Sequence, residues 1–149
     1  MEESIKYLKE QFDLQPVDIR TYSPVVLAYI GDAVYELVIR TILVDQGNRQ
    51  ANTLHKKAST YVKASAQAAM AEAFLPELTE EELSYFKRGR NAKTVSMAKH
   101  ATMHDYRHAT GFEALMGYLY LKKDWKRLLD LVKIGLCSVS DRSALKEEE

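Results

Sequence analysis

Hydrophobic positions along this chain recur with a helical period almost from end to end. No segment shows the strict alternation that a half-buried strand requires. Residues 2–12 read as a short first helix. Ser23 followed by Pro24 is a helix start, with serine as the cap and proline in the first turn, where its missing N–H costs nothing. The helix it opens runs to about Gly47 and is apolar around most of its circumference, which predicts a buried central helix. Asn52 caps the next helical region, which extends to about Leu75, with a break expected near Ser59–Ser65 and Pro76 as the stop. Thr79, followed by Glu80, Glu81 and Glu82, is a capping-box pattern, and its helix runs into the basic segment 87–93. Residues 94–103 read as a loop. A long helix follows over about 104–122, and Asp124 caps a last one over about 125–136. The remainder, Ser138 to Glu149, reads as a polar, frayed tail. The expectation is an all-α protein of about six to seven helices around the helix that starts at Pro24. Residues 1–137 would form one domain and 138–149 a tail.

Composition agrees. The 149 residues suffice for one core, 46% of them are hydrophobic, and only three Pro and six Gly argue against a turn-rich β protein. A single cysteine, Cys137, excludes an intrachain disulfide and a cysteine-based zinc site, and reads as a buried structural thiol. The N-terminus has no basic-then-apolar leader and no uncharged apolar run reaches bilayer length, so a soluble cytoplasmic protein without membrane contact is expected. Formal net charge is zero, so overall charge does not announce a nucleic-acid partner.

Two carboxylates change this picture. Asp32 stands in the apolar stretch 24–39 and Glu113 in the apolar stretch 111–121. An ionised carboxylate among apolar residues is costly unless a cation or dense hydrogen bonding compensates it. Two such sites suggest one shared hard cation with oxygen ligands, able to activate water and neutralise charge at phosphorus. The competing interpretation makes both of them structural acceptors bonded to Tyr hydroxyls or an Arg. Glu36 shares a helix face with Asp32 and either supports the cation from outside its ligand shell or pairs with Arg40.

Charge is also unevenly distributed. Lys87, Arg88, Arg90, Lys93, Lys99 and Arg107 fall in one stretch whose single acid is Asp105. Such a surface neutralises phosphates. Gly89 would allow close backbone approach there, and Asn91 can donate to phosphate or a 2′-hydroxyl. Lys56, Lys57 and Lys63 form a second basic set, and for Lys56 and Lys57 alone a plain solvated face is an equal alternative. His100, His104 and His108 are spaced by four, but a zinc site normally needs three or four convergent ligands, so RNA or solvent contact is the stronger interpretation.

These residues carry a resemblance. Ala28-Tyr-Ile-Gly-Asp-Ala-Val-Tyr-Glu36 is similar to the signature helix of the ribonuclease III family, and Phe112-Glu-Ala-Leu-Met-Gly117 resembles that family's second acidic motif. Leu54-His-Lys-Lys57, the segment 87–93 and Tyr106-Arg107 resemble its small branch, Mini-ribonuclease III, which has the catalytic domain and no double-stranded-RNA-binding domain. The similarity spans roughly residues 24–136. It implies a ribonuclease III-type endonuclease domain that hydrolyses double-stranded RNA with a divalent metal, normally Mg²⁺ with Mn²⁺ as a substitute. The products would carry 5′-phosphate and 3′-hydroxyl ends. Asp32 and Glu113 match the family's catalytic metal ligands. Lys56, Lys57, Lys87, Arg88, Arg90, Asn91, Lys93 and Arg107 are then the candidate RNA contacts. Larger members carry two further acids where this chain has Ala28 and Thr110, so water and RNA phosphate must fill more of the coordination sphere, and weak metal affinity without substrate is expected. The resemblance also implies a homodimer with one site per strand. It further implies maturation of the ends of large-subunit (23S) ribosomal RNA precursor, with a ribosomal protein as a candidate presenter of the substrate. A non-catalytic ribosome-assembly module that kept the fold is the rival the missing acids leave open. A helical interaction scaffold with no RNA role is a third reading.

Overall fold

In the computed structural model, which describes residues 1–92 and 102–147 and side chains as far as Ser140, the chain forms seven α-helices and two 3₁₀ turns, with no strand among the described residues. The helices are α1 (Glu2–Gln11), α2 (Pro24–Asp45), α3 (Ala51–Val62), α4 (Ala64–Phe74), α5 (Glu80–Arg90), α6 (Met103–Leu121) and α7 (Trp125–Glu147). Their starts follow local chemistry. The Ser23 hydroxyl accepts from the Val26 N–H at 3.2 Å. Thr79 and Glu82 close the expected capping box, Thr79 N–H donating to Glu82 at 2.9 Å and Glu82 N–H to Thr79 at 3.2 Å. Thr102 caps α6 by accepting from Asp105 N–H at 3.0 Å.

Two expected boundaries differ. The cap of α3 is Gln50 rather than Asn52, with no side-chain bond, and the Leu54 N–H donates to the Gln50 carbonyl at 3.1 Å. The last helix does not end at Leu136. No glycine or proline follows Gly135, and Ile134, Leu136 and Val139 pack against the core, so helical hydrogen bonding continues to Glu147. On this extension Cys137 is exposed rather than buried, because Leu136 and Val139 take the inward positions. The break between α3 and α4 falls at Lys63, whose ψ of 154° is extended, inside the expected window.

The most enclosed element is α6, which packs against α2, α5 and α4. Phe112 is its centre: Tyr35 of α2 meets its ring edge-on at 4.8 Å and Phe74 of α4 stacks on it at 5.6 Å. A second tie joins α7 to α5, where Arg127 donates to both oxygens of Glu82 at 2.8 and 2.9 Å and to the Glu77 carbonyl at 2.7 Å. Helix α2 is only half wrapped. Val34, Tyr35, Val38, Ile39 and Leu43 are buried, whereas Val26 at 46%, Tyr29 at 82% and Leu37 at 49% remain exposed on its other side.

The α2–α6 contact positions the site. A Cβ on Gly31 would lie 1.7 Å from the Glu113 carbonyl oxygen, and one on Gly117 would lie 2.0 Å from the Leu27 carbonyl oxygen. The two backbones therefore touch, which only glycine at both positions allows. Among the described residues no helix is long and apolar enough to cross a membrane.

Candidate active site

Asp32 follows Gly31 directly, and Glu113 is the residue whose carbonyl faces Gly31. The backbone contact thus brings two carboxylates from different helices to one place. Glu113 is half-buried, and its carboxyl is pushed up to about 8, first by burial and then by the charge of Asp32. Asp32 is also raised, by desolvation and then by Glu36. The apolar neighbours of Asp32 suggested burial, but its side chain is exposed, because it lies on the side of α2 that the fold leaves uncovered.

Among the described residues neither carboxylate pairs with Lys or Arg, and neither is bonded to a Tyr hydroxyl. Two close acids without counter-charge must take up a proton or a cation. The donor set is hard oxygen, which fits Mg²⁺ or Mn²⁺. No group of three His, Cys, Asp or Glu converges among the described residues, so the chain offers two carboxylates. That is the usual protein share for Mg²⁺ bound together with substrate phosphate and water. Ala28 is buried, and the Thr110 hydroxyl donates to Tyr106 O at 3.0 Å within its own helix, so neither replaces an acid. Glu36 pairs with Arg40 at 2.7 Å, and its charge also raises Asp32.

One buried polar residue escaped sequence reasoning. Gln67 of α4 is 1% exposed, between Ala66 and Ala68. Its Nε2 donates to Val62 O at 3.1 Å, and its Oε1 is buried without a hydrogen-bond partner among the described residues. The signal was present as a lone amide in an otherwise apolar, alanine-rich turn.

The basic residues lie mainly at the surface. Lys56, Lys57, Lys87, Arg88, Asn91 and Arg107 are exposed and Arg90 is half-exposed. Among the described residues none of these cations pairs with a carboxylate. Lys87, Arg88 and Asn91 line an open groove of about 600 Å³ beside Pro24. Arg88 sits 5.2 Å over the Tyr85 ring, and Arg90 donates to Asn91 Oδ1 at 3.1 Å, which leaves the Asn91 amide N–H groups as donors. Lys93, Lys99 and His100, with most of the expected loop, lie outside the described residues. Gly89 has a different role from the one expected. A Cβ there would meet Ala114 Cβ at 2.7 Å and Gly111 Cα at 2.9 Å, so this glycine serves α5–α6 packing and not a ligand. His104 and His108 stack at 4.0 Å, with His108 Nδ1 2.9 Å from His104 O, as a surface pair.

The family model described as Ribonuclease III domain matches residues 25–124. A Clostridium tetani protein named Mini-ribonuclease 3 is 44% identical over 144 residues, covering 96% of this chain and 93% of its own length. An Enterococcus faecalis protein of the same name is 49% identical over 117 residues, covering 77% and 89%. The solved structure of a Fusobacterium nucleatum protein superposes with a TM-score of 0.73 at 34% identity, over 80% of this chain and 95% of that one.

Proposed function

The chain belongs to the ribonuclease III family and is an endoribonuclease, and we propose that it cuts double-stranded RNA at a divalent-cation site made by Asp32 and Glu113. The observation that carries this is the glycine-mediated contact of α2 and α6, which sets the two carboxylates together with no protein cation between them. Mg²⁺, or Mn²⁺ in its place, supplies charge neutralisation at phosphorus and an acidified water. Asp32 reaches it from the exposed side and Glu113 from the half-buried side. Ala28 and Thr110 leave the remaining positions to water and phosphate oxygen, which makes affinity weak until RNA arrives. The products carry 5′-phosphate and 3′-hydroxyl ends.

Lys87, Arg88, Arg90 and Asn91, with Lys56, Lys57 and Arg107, hold the phosphates of the duplex, and Lys93 extends that basic run in sequence. A-form RNA is recognised by shape and 2′-hydroxyls, so sequence preference is modest. The uncovered side of α2, with Val26, Tyr29 and Leu37, is the face on which a second copy packs. A two-fold dimer then presents one site to each antiparallel strand. The substrate is 23S ribosomal RNA precursor in the cytoplasm, with a ribosomal protein as candidate presenter.

The test is incubation of a long perfect RNA duplex with the protein in Mg²⁺ or chelator, beside Asp32→Asn. Metal-dependent cutting lost in the variant, with duplex binding kept, supports the reading. Binding without any cutting of this duplex or of a ribosomal precursor favours the assembly-module alternative, for which the missing acids at Ala28 and Thr110 speak.

A further inference from the structure

We propose that Tyr85 is a positioning residue for duplex binding, its ring holding the Arg88 guanidinium at the groove along α5; this rests on Arg88 being a phosphate contact. Tyr85 and Arg88 are three residues apart on α5 and so are neighbours on one helix face. Tyr85 is buried, and its ring lies nearly parallel to that of Tyr118 of α6, with centroids 3.8 Å apart and 14° between the planes. Tyr118 is buried too, and its hydroxyl donates to the Glu81 carboxylate, one turn before Tyr85. Both rings are thus fixed by the α5–α6 contact. The Arg88 guanidinium carbon stands over the Tyr85 ring, 5.2 Å from its centroid. Two parallel rings set their negative faces against each other, and a cation over one of them offsets that repulsion.

This placement suits phosphate binding. A guanidinium stacks through its face, so its N–H groups, which lie in its plane, stay free for phosphate oxygens. Arg88 is exposed, and among the described residues it pairs with no carboxylate. It lines the groove together with Ser84, Lys87 and Asn91, beside Pro24, which opens the helix that carries Asp32. A long side chain loses rotamer freedom when it grips a phosphate, and one already held over a ring loses less. Among the described residues Lys87 and Arg90 stand over no aromatic ring, so Arg88 is the cation of this run that the core holds in place. The competing interpretation is that Arg88 only covers the edge of the aromatic pair with its alkyl stem.

The experiment uses the full chain. Binding of a perfect RNA duplex in chelator is followed by fluorescence anisotropy for the parent, Tyr85→Leu, Tyr85→Phe, Arg88→Ala and the double variant Tyr85→Leu with Arg88→Ala. Tyr85→Leu is expected to weaken duplex binding about 2- to 5-fold and to raise KM for cleavage in Mg²⁺ by a similar factor, while kcat stays at the parental level. Tyr85→Phe keeps the ring and restores parental binding. In the Arg88→Ala background, Tyr85→Leu has no further effect. A folded Tyr85→Leu protein that binds the duplex as the parent does, when Arg88→Ala binds more weakly, overturns the inference and leaves Tyr85 as a core residue. A loss on Tyr85→Leu that persists in the Arg88→Ala background overturns it as well. If Arg88→Ala itself binds the duplex as the parent does, the phosphate-contact reading has failed and the inference falls with it. Should Tyr85→Leu not fold, the parent protein decides by nuclear magnetic resonance. The Tyr85 ring current must shift the Arg88 side-chain protons upfield, both in the free protein and with duplex bound in chelator, and Arg88 signals at their ordinary positions refute the proposal.

Discussion

Burial and then the charge of Asp32 make Glu113 harder to ionise, and the consequence is a definite pH dependence. Glu113 in the folded chain holds its proton up to about 8, against an ordinary value of 4.5. A raised folded value means stability that is fully present below the unfolded pKa and is lost as pH rises through the folded one. The metal-free protein should therefore lose stability between about pH 5 and 8. Glu113→Gln removes that loss. Its melting temperature in chelator at pH 8 is expected to exceed the parent's by several degrees by calorimetry, while cleavage falls more than about 100-fold. Cation binding must also displace the proton. RNA-free Mn²⁺ affinity should rise by up to about tenfold per pH unit below 8 and level off above it. A flat profile in a titration at pH 6, 7 and 8 would place the cation elsewhere. The two acids were legible in the sequence as misfits in apolar stretches. The exposure of Asp32 was not, since a one-dimensional pattern does not say which side of an apolar helix the fold leaves bare.

Helices α2 and α6 meet without room for a single methyl group. Gly31→Ala would place a Cβ 1.7 Å from the Glu113 carbonyl oxygen, so the helices must separate. Overpacking of this kind costs about 1–3 kcal/mol or more. Because the contact also sets the spacing of the carboxylates, cleavage should fall further than stability at a temperature where the variant remains folded. Cleavage retained at parental level in a folded Gly31→Ala protein would show that the spacing is not critical. The tie between α5 and α7 carries a separate prediction. Glu82 is held below its ordinary range chiefly by its hydrogen bonds with Arg127, and its side chain is 8% exposed against 28% for Arg127. Arg127→Met leaves that carboxylate without its partner and should cost about 2–3 kcal/mol in urea unfolding, less than a fully buried pair because Arg127 is partly solvated. The depressed pKa makes this contribution present above the unfolded value of 4.5 and lost as pH falls, so parent and variant should converge in acid. Helix starts at Ser23 and Thr79 were readable because caps are local. The run of α7 to Glu147 was not, because its polar residues hide an inward row of Ile134, Leu136 and Val139 that only the core explains.

Across the whole molecule the charges balance to zero, yet α5 separates them, with Glu80, Glu81 and Glu82 in its first turn and Lys87, Arg88 and Arg90 in its last. That order suits the helix dipole as well as a phosphate-facing surface. Replacing Arg88 and Arg90 together with alanine should weaken duplex binding about equally for unrelated sequences and lower the salt slope by about 2. An unchanged slope would return these residues to a solvated face. Tyr29, at 82% exposure, is the most uncovered large apolar residue of α2. Tyr29→Arg should convert a dimer of two 17.0 kDa chains to monomer in sedimentation and abolish paired cleavage of both strands. A parent protein that sediments as a monomer would remove the dimer from the proposal.

Period, caps and motif order depend on neighbours in the chain, so the sequence by itself determined the all-α class, most helix boundaries, the family resemblance and the two acids that stand out in apolar stretches. Which side of α2 is bare, that Gly89 serves packing against α6 and that Gly31 lets α2 touch α6 at Glu113 depend on residues far apart in sequence. Only the tertiary structure decided those, because each is set by which helix surfaces the fold presses together.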